Sequence, residues 1–193
     1  MVSAKFNSNS RGFSLIEVVI SMGLLTAVSL GVAQLFALST KANLTARGQT
    51  STTAMAAQRL EQLRSLTWGF DLEGLGLPVT DSSTNLAVTP PAQNGSGLNP
   101  SPTTSLDENS AGFVDFLDQN GGWVGTGMTP PSTAVYIRRW SIQPLPTNPN
   151  NTIVIQVLVT PVSSEMRRVE SEFTRTRMLG DSLLTTVKTR KAS

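Results

Sequence analysis

The chain has 193 residues, room for one ordinary domain plus an additional element, and it contains neither Cys nor His. Disulfides, thiolate chemistry and the commonest general base and metal ligand are excluded, so neither catalysis nor a cofactor or metal is expected. The formal charge of +2 hides a segregation. Without residues 1–12, thirteen bases balance thirteen acids; residues 66–133 carry seven acids and no Lys or Arg, and residues 134–193 carry nine bases against four acids. The bases of that last part are scattered, which fits mutual attraction of two halves of one domain better than a surface for nucleic acid or anionic lipid.

Residues 1–12 are polar and basic, with Lys5 and Arg11 and no acid. From Phe13 to Leu38 follow 26 largely apolar residues, about 39 Å as a helix against the roughly 30 Å hydrocarbon core of a bilayer. The basic flank predicts residues 1–12 in the cytoplasm and the chain beyond Lys41 outside it. A secretory signal, with Ala27–Ser29 or Gly31–Ala33 as its cleavage site, and a plain single-pass anchor both fit this pattern. Neither has a use for Glu17, the single charge in the run. A carboxylate there costs about 2.5–3.5 kcal/mol on insertion, and such groups commonly have a partner and a purpose.

The stretch GFSLIEVVISMGLLTAVSLGVAQLF, from Gly12 to Phe36, resembles the class III signal of type IV prepilins: a short basic leader ending in Gly, then Phe, then an apolar run with Glu at its fifth position. The resemblance implies that a prepilin peptidase cuts between Gly12 and Phe13 and methylates the new amino group of Phe13. It also implies that Glu17 neutralises the amine of a neighbouring subunit during assembly. Two departures stand beside it: there is no Pro before Pro78, and no Cys to close a C-terminal disulfide.

Beyond the span the helix is predicted to continue to about residue 68, with Met55, Ala56, Leu60 and Leu63 on one face and Arg59, Glu61, Gln62 and Arg64 largely elsewhere, and Gly69 as its stop. The segment AMAAQRLEQLRSL is similar to the second half of the long helix in PilV-type minor pilins. Residues 69–133 hold seven of the eleven prolines and read as a Gly/Pro-rich variable loop region, with Pro90–Pro102 expected to be disordered. Within it, FVDFLDQNGGWVG reads as a short hairpin turning at Asn120-Gly121. Asp115, Asp118 and Asn120 offer oxygen ligands, but the spacing fails for a calcium loop, and a turn is expected instead. Strands are predicted at Ala134–Ile142 and Thr152–Thr160, as an antiparallel pair, and over SLLTTVKTR; Ser163–Met178 is polar and fits a short helix or a loop, with the loop preferred. Arg138, Arg139 and Trp140 bring cationic and stacking groups together, yet alternation sends the two arginines to opposite faces; nucleic acid is therefore not the expected partner, though a contact stays open.

These readings divide the chain into a cleaved basic leader (1–12), a transmembrane and assembly helix (13–38), its amphipathic continuation (39–68), the variable loop region (69–133) and a β-sheet region (134–193). The expected fold is α+β, a long N-terminal helix packed on a small antiparallel sheet, as in type IV pilins. The resemblance implies a minor pilin, processed by prepilin peptidase, anchored in the bacterial inner membrane with its C-terminal domain in the periplasm. From there it would join other minor and major pilins in the priming or tip complex, or the fibre, of a type IV pilus. A type II secretion minor pseudopilin is the alternative within the family, and a membrane-anchored or secreted binding domain or enzyme is the alternative outside it.

Overall fold

The computed structural model describes residues 12–71, 76–81, 95–170 and 177–190, with the side chains of residues 168–170 excepted. These residues fall into two compact units that divide between Leu44 and Thr45. One long helix, α1 (Leu15–Ser65), contributes to both. It ends four residues before Gly69, the expected stop, and Gly69 lies instead in a short strand. The Lys188 ammonium donates to the carbonyls of Arg64 and Leu66. A cation on the last carbonyls complements the negative end of the helix dipole, which is why the turn closes there.

In the second unit, β1 (Trp68–Phe70) and β2 (Pro78–Thr80) form a hairpin, and five strands form an antiparallel sheet. These are β3 (Val114–Leu117), β4 (Trp123–Gly125), β5 (Tyr136–Pro144), β6 (Thr152–Pro161) and β7 (Ser182–Thr189), in the spatial order β4-β3-β5-β6-β7. Register along β5 and β6 runs from Tyr136 opposite Pro161 to Pro144 opposite Ile153. The predicted strands are therefore present, as is the hairpin at residues 113–125, where Gly121 takes a φ of 81°.

The β-branched run of β6 supplies Ile153, Ile155, Val157 and Val159 to one face of the sheet. Met55, Ala56, Leu60 and Leu63 of α1 pack against them, together with Trp140, Ile142, Leu117, Phe113 and Leu98. Each large side chain so buried contributes about 1.5–3 kcal/mol by transfer from water. Alternation along the strands places Val114, Phe116 and Ile137 on the opposite face in a smaller cluster with Val124, Ala134 and Val162. A helix layered on an antiparallel sheet is the α+β arrangement expected, consistent with the type IV pilin fold.

Three expectations need correction. Residues 69–133 are not loop throughout apart from the expected hairpin, since β2 and most of β1 also lie within them. Of the stretch expected to be disordered, Pro90–Asn94 lies outside the described residues, but residues 95–102 are packed: Leu98 and Ser101 are buried. β5 outruns β3, so the end of β5 would leave backbone groups unpaired. Ser101 meets them, its N–H donating to the Ile142 carbonyl (2.9 Å) and its Oγ accepting from the Ile142 N–H (3.0 Å). Finally, in Ser163–Met178, where the sequence prefers a loop over a short helix, the helix forms in part, as α2 (Val162–Glu170). Glu165 pairs with Arg139 at 2.7 Å and Ser164 is buried, so tertiary contacts hold a segment whose own sequence is ambiguous.

All residues of the core lie at or beyond Met55. A chain beginning at Thr45 is therefore expected to fold as a monomer, because it keeps the core and loses the exposed apolar residues of the first unit. Far-UV circular dichroism and gel filtration check this, and aggregated or unfolded material alone would contradict it.

Candidate functional site

Gly12, Phe13 and Ser14 precede α1, and every residue from Gly12 to Leu44 is exposed. The Ser14 carbonyl accepts the N–H groups of Glu17 (3.0 Å) and Val18 (3.2 Å), which makes Ser14 the N-cap of α1. Glu17 stands three residues on, in the first turn. Ser14 and Glu17 thus have the spacing of a capping box, and the carboxylate lies at the positive end of the helix dipole. Its place in the sequence is then less costly than that of a charge at the middle of a span. Phe13 is 83% exposed, and among the described residues nothing beyond its chain neighbours lies within 4 Å of where a Cβ on Gly12 would stand. Gly12, Phe13 and Glu17 are all accessible at one end of the helix.

From Leu15 onward α1 is long and apolar enough to cross a membrane, with a mean hydropathy of 2.1 over its most apolar window and nothing in that window buried. A hydroxyl in such a segment needs a partner within the helix. Thr26 has one, donating to the Met22 carbonyl at 2.8 Å.

The other residues singled out in the sequence are structural. Arg138, Arg139 and Trp140 are buried and present no surface for stacking on a base. Asp115 faces Arg138 in a bidentate pair (2.9 and 2.7 Å), while Asp118 closes the β3–β4 turn by accepting the N–H groups of Asn120 and Gly122, both at 2.8 Å. The two carboxylates serve separate partners. Among the described residues no group of three or more acidic side chains is placed to hold a metal.

The helical pattern places Arg59 largely away from the apolar face, and the structure corrects this. Arg59 is fully buried on the sheet-facing side of α1, its guanidinium 3.8 Å from the centre of the Trp140 ring. Its Nη1 reaches Gln62 Oε1 at 3.4 Å, while Nε and Nη2 find no hydrogen-bond partner among the described residues. Burial lowers its pKa well below the usual arginine value, to about 9; Asp115 acts to raise it and Arg138 to lower it further. The spacing Thr52, Ala56, Arg59, Leu63 would have found the position, since these residues recur on one helix face. The charge concealed it.

A long apolar N-terminal helix, a carboxylate in its first turn and an antiparallel sheet under its C-terminal part define an α+β protein of pilin-like architecture. Residues 7–33 match the prokaryotic N-terminal methylation motif, which supports a type IV pilin-like or pseudopilin-like precursor and implies processing by prepilin peptidase. No curated protein and no solved structure matches the chain.

Proposed function

We propose that the chain is the precursor of a minor type IV pilin of the PilV type. Residues 1–12 are the leader and Phe13–Leu38 the transmembrane and assembly helix. Prepilin peptidase cuts between Gly12 and Phe13 and methylates Phe13. The mature subunit waits in the inner membrane, its C-terminal domain in the periplasm, until other pilins recruit it through Glu17 into a pilus or its tip complex. The observation that carries this reading is the methylation motif over residues 7–33, in a chain where Gly12, Phe13 and Glu17 are all exposed. The exposed apolar residues that follow supply a surface that lipid or neighbouring helices would cover.

The mature N-terminus tests it. Mass spectrometry of the membrane-bound protein is expected to find methylated Phe13 first, whereas a start near Leu30 or Gln34 would mark a secretory signal. Gly12→Val places a branched side chain at the cleaved bond and is expected to leave the full-length precursor in the membrane. Normal maturation of that variant would remove Gly12 from the proposed cleavage site.

A further inference from the structure

Charge does not balance in the layer between the C-terminal part of α1 and the sheet. Arg59 and Arg138 are both buried there, and Asp115 is the one buried carboxylate among the described residues. Asp115 is already taken, because its two oxygens accept from Nε and Nη2 of Arg138. The Met55 carbonyl accepts from Nη1 of Arg138, which gives that side chain an acceptor on each nitrogen. Arg59 has only the long contact from Nη1 to Gln62 Oε1, at 3.4 Å. Its Nε and Nη2 are buried with no acceptor among the described residues, and so is Trp140 Nε1, in the ring on which the guanidinium stacks.

The three atoms share a chemistry. Nε and Nη2 lie along one edge of the guanidinium and present two parallel N–H groups, the same pair with which Arg138 holds Asp115. All three are donors, so the group that completes them is an acceptor, and a buried donor left without one is costly. The Trp140 ring attracts the cation through its face and offers nothing to that edge. Water would satisfy the N–H groups but leave a desolvated positive charge uncompensated, whereas an anion does both. Enclosure sets the size: Arg59 is 0% and Trp140 1% exposed, so only a small ion can be accommodated.

We propose that the Nε–Nη2 edge of Arg59, above Trp140, is an internal binding site for a small monovalent anion of the size of chloride or formate. The anion serves Arg59 as Asp115 serves Arg138, and it enters through local opening of α1 from the sheet. The inference rests on the packing of α1 against the sheet and stands apart from the pilin reading.

Denaturant unfolding of the full-length chain in detergent micelles, followed by tryptophan fluorescence, tests it. Sodium chloride replaces sodium gluconate stepwise at constant ionic strength. Stability is expected to rise saturably, so that at ten times the half-saturating chloride the folding equilibrium constant is about 11-fold its value in gluconate alone. Formate should act in the same way. Arg59→Leu should show no saturable rise with either anion. Chlorine-35 NMR reads the site without a variant, since the parent should broaden the chloride line and formate should reverse the broadening. A flat chloride titration of the parent, the same rise in Arg59→Leu, or a chloride line that the parent leaves sharp overturns the proposal.

Discussion

The Glu17→Val protein is expected to enter the membrane and be cut after Gly12, yet to be missing from sheared filaments. Removing the carboxylate makes the span more apolar and leaves the scissile bond untouched, so insertion and cleavage should persist. On the proposed reading, the amine of a neighbouring subunit loses its counter-charge where water is excluded. Breaking one half of such a pair costs about 3–5 kcal/mol, on the order of 100- to several-thousand-fold in association. The capping geometry at Ser14 offers a second use for Glu17, and two further variants separate the two. Glu17→Gln retains a side chain suited to a capping box but has no charge, and should fail as Val does. Glu17→Asp keeps the charge with one methylene less reach, and should recover assembly in part. Immunoblots of membrane and filament fractions, from a strain lacking the parent protein, read the result. Parental levels of the Gln variant in filaments would assign Glu17 to capping, and parental levels of the Val variant would make it a tolerated passenger.

Asp115→Asn is expected to cost the globular unit about 3–5 kcal/mol, a large share of the roughly 5–15 kcal/mol that holds most domains. Asp115 is the counter-charge for two buried cations. It pairs directly with Arg138, which also donates to the Met55 carbonyl of α1 at 3.2 Å, and it offsets the charge of Arg59. Without it, two positive charges face each other in the core. Arg59→Leu should be close to neutral or stabilising, because it removes a desolvated charge that has no carboxylate of its own and fills the site with an apolar side chain. The sign follows from linkage. The unfolded chain holds the Arg59 proton more tightly than the fold does, so its cost is fully present below about pH 9 and fades as the pH rises above that. The double variant should lose less than Asp115→Asn alone. Denaturant unfolding of all three variants, monitored by tryptophan fluorescence, measures these differences. An Asp115→Asn protein as stable as its parent would show that the pair contributes nothing net.

The N-terminal segment was legible because everything that marks it is local. Gly12, Phe13 and Glu17 sit within six residues of one another, and hydropathy alone delimits the span. Strands β5, β6 and β7 were legible for a related reason, since β-branched residues at alternating positions suit a pleated surface whatever packs on it. The alternation also separated Arg138 from Arg139. Arg138 does face α1, and Arg139 faces α2 on the other side of the sheet.

What remained hidden depends on partners far apart in the chain. Arg59 is enclosed by Trp140 from β5, and the bond from Arg138 to the Met55 carbonyl joins residues 83 positions apart. Residues 95–113 have a loop's composition, yet Ser101 is held because β5 extends beyond β3, a mismatch of strand lengths that appears only when the strands are paired. α2 forms over a polar segment because Arg139 needs Glu165 as its counter-charge once it is buried. By itself the sequence determined the hydropathy, the N-terminal spacing and the strand pattern of this protein. The tertiary structure alone decided which charges lie inside and which loop is ordered, because desolvation and backbone pairing are set by neighbours that the linear order does not name.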